Sequence, residues 1–62
     1  FIGVIDEDLT TAQDADTLNA KYTEEYPPNF MVVAPNVSTG ETYIKLNSGS
    51  WMIIAGTISN PT

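Results

Sequence analysis

Apolar residues fall into four short runs along the 62-residue chain, and polar or turn-forming residues separate these runs. The runs are rich in β-branched and aromatic side chains, a composition that is typical of strands. Strands are therefore predicted over residues 1–5, 30–34, 41–46 and 51–55. Glycine, proline and asparagine punctuate the connections, which favours tight turns between the later strands.

A single helix is predicted in the long connection between the first two strands. Its apolar residues recur every three or four positions and so share one face: Ala12, Ala15, Leu18 and Tyr22. Thr11, followed by Asp14, matches the Ser/Thr-x-x-acid pattern of a helix N-terminus. The Pro27-Pro28 pair prevents a longer helix, because the residue before a proline avoids the α conformation. The predicted helix covers residues 11–22.

The predicted sheet is apolar on both of its faces. In the last strand, Trp51 and Ile53 point to one side and Met52 and Ile54 to the other, because side chains alternate along a strand. One short helix can cover only one face of a small sheet, so the second face is expected to pack against another subunit. The candidate interface residues are Met31, Val33, Tyr43, Trp51, Met52 and Ile54.

These elements predict a mainly β fold of the α+β class, a small antiparallel β-meander of three to four strands with one short helix inserted after the first strand. Residues 1–58 are expected to form a single small β-rich domain, and residues 59–62 a tail or linker. A domain of this length buries only about 60% of the surface that its unfolded chain exposes. Since the chain has no cysteine, disulfides cannot stabilise it further.

The charge of the chain narrows the classes of partner. Eight acidic residues and two lysines give a net charge of −6, and all of this excess lies in residues 1–31. Without a basic patch, binding to nucleic acid or to an anionic membrane surface is disfavoured. The chain has no run of about 18 apolar residues that could span a membrane. Its N-terminus also lacks the basic start and apolar stretch of a signal peptide.

Patterns that could carry catalysis or metal binding are weak. The absence of histidine and cysteine excludes zinc sites built on these residues and a Cys or His nucleophile–base pair. A calcium loop that begins at Asp14 would use Asp16 and Glu25 as ligands, but Asn19 stands where such a loop needs glycine. These acids and the Asp6-Glu7-Asp8 turn are therefore interpreted as solvated turn and helix-cap residues. No catalytic, cofactor-binding or metal-binding residue is predicted, and the chain is not expected to be an enzyme.

Three segments of the sequence together carry a recurrent pattern of two short strands and a hairpin. They are Phe1-Ile2-Gly3-Val4-Ile5, Phe30-Met31-Val32-Val33, and a hairpin over residues 39–54 that contains Thr39-Gly40, Tyr43, Gly49 and Trp51. The pattern resembles the small β-meander modules of tailed-bacteriophage virion structural proteins of the fibre, neck or capsid-decorating type. The resemblance covers residues 1–5 and 28–56, and it implies no catalytic residues.

The resemblance implies a non-enzymatic structural component of a tailed-phage virion, in a head, neck or tail appendage or a capsid-decorating module, that acts through assembly contacts. The implied partners are copies of the chain, with a trimer favoured, or other virion proteins. An alternative is a small carbohydrate- or receptor-binding module in which Tyr43 and Trp51 form an exposed aromatic platform. A third is an inhibitor or antitoxin-like protein whose acidic first half mimics nucleic acid. The oligomeric state and the partner of the isolated chain separate these alternatives.

Overall fold

The computed structural model describes residues 2–22, 26–46 and 49–62, and these ranges contain a four-stranded sheet and one helix. In chain order the elements are β1 (Gly3–Ile5), α1 (Ala15–Lys21), β2 (Met31–Ala34), β3 (Glu41–Lys45) and β4 (Trp51–Ala55). The predicted mainly β, α+β fold with a helix after the first strand is confirmed. Each strand begins and ends within two residues of its predicted bounds. Phe1, the predicted start of β1, lies outside the described residues.

The strand order in the sheet is β1-β2-β3-β4. β2, β3 and β4 form the predicted antiparallel meander, whereas β1 pairs with β2 in parallel. The sheet is therefore mixed rather than wholly antiparallel. The reason lies in the connection, because parallel neighbours need a crossover of about a dozen residues or more. The segment between Ile5 and Met31, which contains α1, provides that crossover.

The helix begins later than predicted because Asp14, and not Thr11, is its N-cap. The Asp14 carboxylate accepts a hydrogen bond from the Thr17 backbone N–H at 2.9 Å, and the Thr17 hydroxyl accepts one from the Asp14 backbone N–H at 2.9 Å. This reciprocal capping box satisfies backbone donors that the start of a helix would otherwise leave free. The competing pattern that begins at Thr11 remains outside the helix, which ends at Lys21.

The core lies on one side of the sheet, here called the inner face, under α1 and the loops. The register places Val4 beside Val32, and Val32 beside Tyr43, in this layer. Within the described ranges, the buried apolar residues are Leu9, Leu18, Tyr22, Phe30, Val32, Ala34, Val37, Tyr43 and Trp51. Helix, loops and strands therefore all contribute to the core, as a domain of this size requires.

Two glycines occupy turns in which only a residue without Cβ is free of strain. Gly40 precedes β3 with φ +96°, and Gly49 precedes β4 with φ +76°. Left-handed backbone of this kind is costly for other residues. The prediction that Gly49 takes a positive φ in the β3–β4 connection is confirmed, whereas Asn47 and Ser48 of the same connection lie outside the described residues.

The chain after β4 returns to the β2–β3 connection. The Gly56 backbone N–H donates to the Gly40 carbonyl at 2.7 Å, and the Thr39 hydroxyl donates to the Gly56 carbonyl at 2.7 Å. Residues 57–62 are exposed and form no helix or strand. The predicted tail or linker over residues 59–62 lies within this segment.

Candidate assembly surface

The side of the sheet opposite the core carries a continuous set of uncharged side chains. The strand register aligns them in two rows, one across β2 to β4 and the other across all four strands. All but one are apolar, the exception being a threonine. This surface, here called the outer face, consists of Ile5, Met31, Val33, Thr42, Ile44, Met52 and Ile54.

The outer face is open to solvent to a degree that is unusual for so apolar a surface. Ile5, Met52 and Ile54 are 65%, 49% and 45% exposed, and the other members are half-buried. Single exposed apolar residues are common on monomeric proteins, but a contiguous patch of them marks a contact surface. The outer face is therefore the candidate functional site of the chain.

Four of the six predicted interface residues lie on the outer face, namely Met31, Val33, Met52 and Ile54. The prediction omitted Ile44 and Ile5, although both belong to the same surface. The alternation of side chains in residues 41–46 would have identified Ile44, because it lies two positions from Thr42 on the same side of β3. Ile5 required the parallel pairing of β1, which places it beside Val33.

The other two predicted interface residues, Tyr43 and Trp51, lie on the inner face. Tyr43 is fully buried and Trp51 is 9% exposed. Their assignment to the candidate surface is corrected for this reason, since both side chains pack into the core of their own chain and do not reach the outer face. The same burial removes the two residues from the aromatic platform that a carbohydrate-binding module would need.

A hydrogen-bonded bridge fixes Trp51 between the helix and the hairpin. The Trp51 Nε1–H donates to the Asn19 side-chain oxygen at 2.8 Å, and the Asn19 side-chain nitrogen donates to the Gly49 carbonyl at 2.8 Å. Asn19 therefore joins α1 to the turn before β4. A buried indole N–H normally has such a partner, so the bridge satisfies the polar atom of Trp51 and orients its ring.

Tyr43 is fixed in a similar way at the other end of the core. Its hydroxyl donates to the Glu41 carboxylate at 2.6 Å and accepts a hydrogen bond from the Gln13 backbone N–H at 3.3 Å. Burial, together with the nearby Glu41 carboxylate, raises the pKa of Tyr43 to about 12. Tyr43 therefore stays neutral at physiological pH and ties β3 to the segment that leads into α1.

An aromatic cluster fills the end of the core beside Trp51. The ring centroids of Tyr26 and Phe30 are 4.3 Å apart, and Tyr22 lies 5.7 Å from Phe30 and 6.4 Å from Trp51. These spacings are those of packed, offset or tilted rings. Tyr26 is 39% exposed, whereas the other three are buried. The cluster is thus part of the core, and Tyr26 is its exposed member.

Asp6 is the polar residue that sequence reasoning placed incorrectly. It was predicted to lie in a solvated turn, but it is only 9% exposed. Its carboxylate accepts a hydrogen bond from the Tyr22 hydroxyl and pairs with the Lys21 ammonium at 2.7 Å. The hydrogen bond from Lys21, followed by that from Tyr22, holds the pKa of Asp6 below its usual value. Burial, and the same carboxylate, raise the pKa of Tyr22.

The acids considered for calcium lie at the start of α1 or beyond the described ranges. The Asp14 carboxylate caps α1, and the Thr17 backbone N–H holds the pKa of Asp14 below its usual value. Asp16 follows in the first turn of the helix, and Glu25 lies outside the described residues. Among the residues that are described, no three acidic side chains gather closely enough to hold a metal ion.

Comparison with known proteins adds no family to this picture, since no protein-family model, curated protein or solved structure matches the chain. In the part of the chain that the structure describes, no helix is long and apolar enough to cross a membrane. Function is therefore inferred from the fold and from the outer face.

Proposed function

We propose that this chain is a non-enzymatic structural module of a tailed-phage virion, in a fibre, neck or capsid-decorating position, and that it acts by packing its outer face against neighbouring subunits. The observation that carries this proposal is the exposure of the outer face. Fully burying an Ile, Val or Met side chain is worth about 1.5–3 kcal/mol relative to exposing it. Over a surface of this extent, covering even half-exposed side chains is comparable with the net stability of a small domain.

The turn geometry supports the resemblance on which the virion assignment rests. The hairpin pattern places glycines before the third and the fourth strand, and both Gly40 and Gly49 have the positive φ that makes glycine the favoured residue. The resemblance is thus carried by residues whose conformation the hairpin requires. It extends to the Phe30-Met31-Val32-Val33 segment, whose alternate side chains separate into core and outer face.

The proposed partners are further copies of the chain, arranged as a trimer, with a larger virion protein as the alternative cover. The outer face has no charged residue, so it suits a protein surface of the same apolar character and neither a phosphate backbone nor an anionic membrane. The net charge of −6 adds to this preference. The proposed location is the virion, where such a module is held at high local concentration.

The experiment places a charge at the centre of the outer face. Thr42 lies between Val33 and Ile54 in the register, and Thr42→Asp leaves the core untouched because the native side chain is already polar and half-buried. Thr62→Asp is the matched control, because it makes the same chemical change at an exposed position well beyond β4. Association is measured by sedimentation equilibrium up to high micromolar concentration, and folding by circular dichroism.

We expect the wild-type chain and Thr62→Asp to associate, and Thr42→Asp to stay folded with association weakened about tenfold or more. An unpaired charge buried at an interface costs more than the 1.4 kcal/mol that corresponds to this factor. A wild-type chain that remains a compact, stable monomer would contradict the proposal, as would equal association of the two variants. Detection of the chain in purified phage particles then tests the virion assignment itself.

A further inference from the structure

The two edges of the sheet differ in how well they are protected from a further strand. The β1 edge is three residues long and is followed at once by the acidic segment Asp6-Glu7-Asp8. The β4 edge is five residues long and contains neither charge nor proline. Short strands and flanking charges discourage strand addition, whereas a longer uncharged edge permits it. β4 is thus the edge at which another strand can join the sheet.

The backbone groups that face outward from β4 can be identified from its ladder with β3. At the two ends of that ladder, the Leu46 N–H donates to the Ser50 carbonyl at 2.8 Å and the Gly56 N–H donates to the Gly40 carbonyl at 2.7 Å. Hydrogen-bonded residues recur at every second position of an antiparallel pair. The even-numbered residues of β4 therefore bond to β3. The outward-facing donors and acceptors belong to Trp51, Ile53 and Ala55.

We propose that β4 pairs antiparallel with β4 of a second copy of this chain, about a two-fold axis at Ile53. In this register Ile53 lies opposite Ile53 of the second copy, and Trp51 lies opposite Ala55. The two residues of each pair exchange two backbone hydrogen bonds, because the backbone N–H and C=O groups of both residues point outward from the edge of the sheet. The pairing thus uses the outward-facing groups of β4 without disturbing its bonds to β3.

The side chains of β4 favour a copy of the chain as the occupant. The two-fold register sets the largest side chain, Trp51, against the small Ala55, which avoids a clash at the ends of the strand. It also sets Met52 opposite Ile54 of the second copy, on the same side of the sheet. The outer faces of the two copies then join into one surface across eight strands.

The distribution of charge favours the same occupant. A chain with a net charge of −6 repels its own copies wherever their acidic parts approach. All of that excess lies in residues 1–31, which comprise β1, its turn and the crossover to β2. On the strand next to β4, Glu41 and Lys45 cancel. Two copies that meet at the β4 edge therefore bring uncharged strands together.

This edge contact is separate from the outer-face contact and does not depend on the virion role. Edge pairing alone gives a two-fold dimer, and outer-face packing alone gives the proposed trimer. If the two-fold axis crosses the three-fold axis at a right angle, the two contacts together give a dihedral assembly in which two-fold axes relate the trimers. The mass of the assembly, and the residues that can be cross-linked, thus report the two contacts independently.

The test is a disulfide at the proposed two-fold axis, in a chain that has no native cysteine. Opposed residues of a hydrogen-bonded antiparallel pair have Cα atoms about 5.5 Å apart, within the range that a disulfide spans. Ile53→Cys places a thiol at this point. Met52→Cys is the matched control, because Met52 is 49% exposed and Ile53 46%, but Met52 is offset from its counterpart by two residues, about 6.6 Å along the strand.

With oxidised glutathione as the oxidant, we expect Ile53→Cys to form a covalent dimer at least about tenfold faster than Met52→Cys, because pairing raises the effective concentration of its thiols. The same preference should persist when Thr42→Asp is added, since this change affects the outer face alone. Equal rates would overturn the edge pairing, as would faster cross-linking of Met52→Cys, which lies on the outer face. The remaining outcome is that Ile53→Cys cross-links faster while association beyond the dimer is equally strong with and without Thr42→Asp. That result would support edge pairing and contradict the proposed function.

Discussion

The inner and outer faces of the sheet are built from the same strands, but they differ in their polar contacts and in their cover. The cover of the inner face reaches Trp51 but not Ile53, which is 46% exposed. On the inner face, the polar atoms of buried aromatic side chains have hydrogen-bond partners, as Trp51 has in Asn19 and Tyr43 has in Glu41. On the outer face, Met52 and Ile54 remain nearly half exposed. From this difference we learn what an apolar strand can and cannot predict. Its hydrophobicity predicts that both of its sides will be covered, but it does not identify the segment or the subunit that covers each side.

The inner face is covered by segments far apart in sequence. Leu9 comes from the turn after β1, Leu18 from α1, and Val37 from the β2–β3 connection. Asp6 adds a polar contact to this layer by holding Tyr22 and Lys21. The chain therefore uses its long crossover to complete one face. A second crossover of that length would be needed to cover the outer face. We propose that a neighbouring subunit covers it instead.

The largest effect should come from two neighbouring residues of β4 that point to opposite faces. We predict that Trp51→Ala destabilises the chain by about 3–5 kcal/mol, because a large buried ring and its hydrogen bond to Asn19 are lost. Met52→Ala should cost less than about 1 kcal/mol at concentrations where the chain is monomeric, because its side chain is 49% exposed. Urea unfolding followed by circular dichroism measures both.

Equal destabilisation by the two changes would mean that the outer face is as well packed as the inner one, and the distinction between them would fail. A Trp51→Ala chain too unstable to purify can be replaced by Trp51→Phe, which keeps part of the ring volume and loses the indole N–H. Its cost should lie between those of Trp51→Ala and Met52→Ala.

A smaller effect is expected from the acid that packs beneath the inner layer. We predict that Asp6→Ala destabilises the chain by about 1–3 kcal/mol, because the Tyr22 hydroxyl loses its buried acceptor. The ion pair adds little to this figure, since Lys21 is 45% exposed and its charge is screened by solvent. Glu7→Ala, in the same turn but exposed, should change stability by no more than about 0.5 kcal/mol. Urea unfolding at pH 7 compares the two.

The pH dependence of this difference provides its control. The pKa of Asp6 is lower in the folded chain than the ordinary value of 3.8, so the folded state binds this proton less readily than the unfolded state. The stability that Asp6 contributes is therefore fully present above that ordinary pKa and is lost as the pH falls through the folded pKa. The difference in the free energy of unfolding between the wild type and Asp6→Ala should therefore become smaller in strong acid. A difference that is independent of pH would show that the carboxylate charge is not involved.

Local sequence patterns predicted most of the fold because strands and turns are encoded over a few residues. The four strands were identified by their β-branched runs, and Gly49 by its place in the hairpin. The helix start was wrong because two capping patterns overlap, and the one that joins Asp14 to Thr17 prevails. Both patterns are equally visible in the sequence. Only the position of the helix over the core decides between them.

The candidate site was predicted in part, because alternation separates the two faces without identifying which one the helix covers. Met52 and Ile54 were placed together correctly on one side, but Trp51 and Tyr43 were added from the other. Asp6 was interpreted as solvated because its partner Tyr22 lies sixteen positions away. A local pattern cannot detect a contact of that range. Its only trace in the sequence was that Tyr22 shares the apolar side of the predicted helix.

The smallest effect on the stability of the monomer should come from the outer face itself. Changing Met52 and Ile54 together to Asp should cost the monomer about 2 kcal/mol or less, since both side chains are nearly half exposed and neither contributes to the core. Association should nevertheless be lost, because the pair introduces two negative charges into the outer face of a chain that already carries −6. The double change Ser59→Asp/Thr62→Asp adds the same charge beyond the sheet and should associate like the wild type. Monomer stability is measured by urea unfolding at low concentration and association by sedimentation.

If the Met52/Ile54 variant instead unfolds as readily as Trp51→Ala, the two faces do not differ in packing. The exposed side of the sheet is then not a surface that contacts a partner.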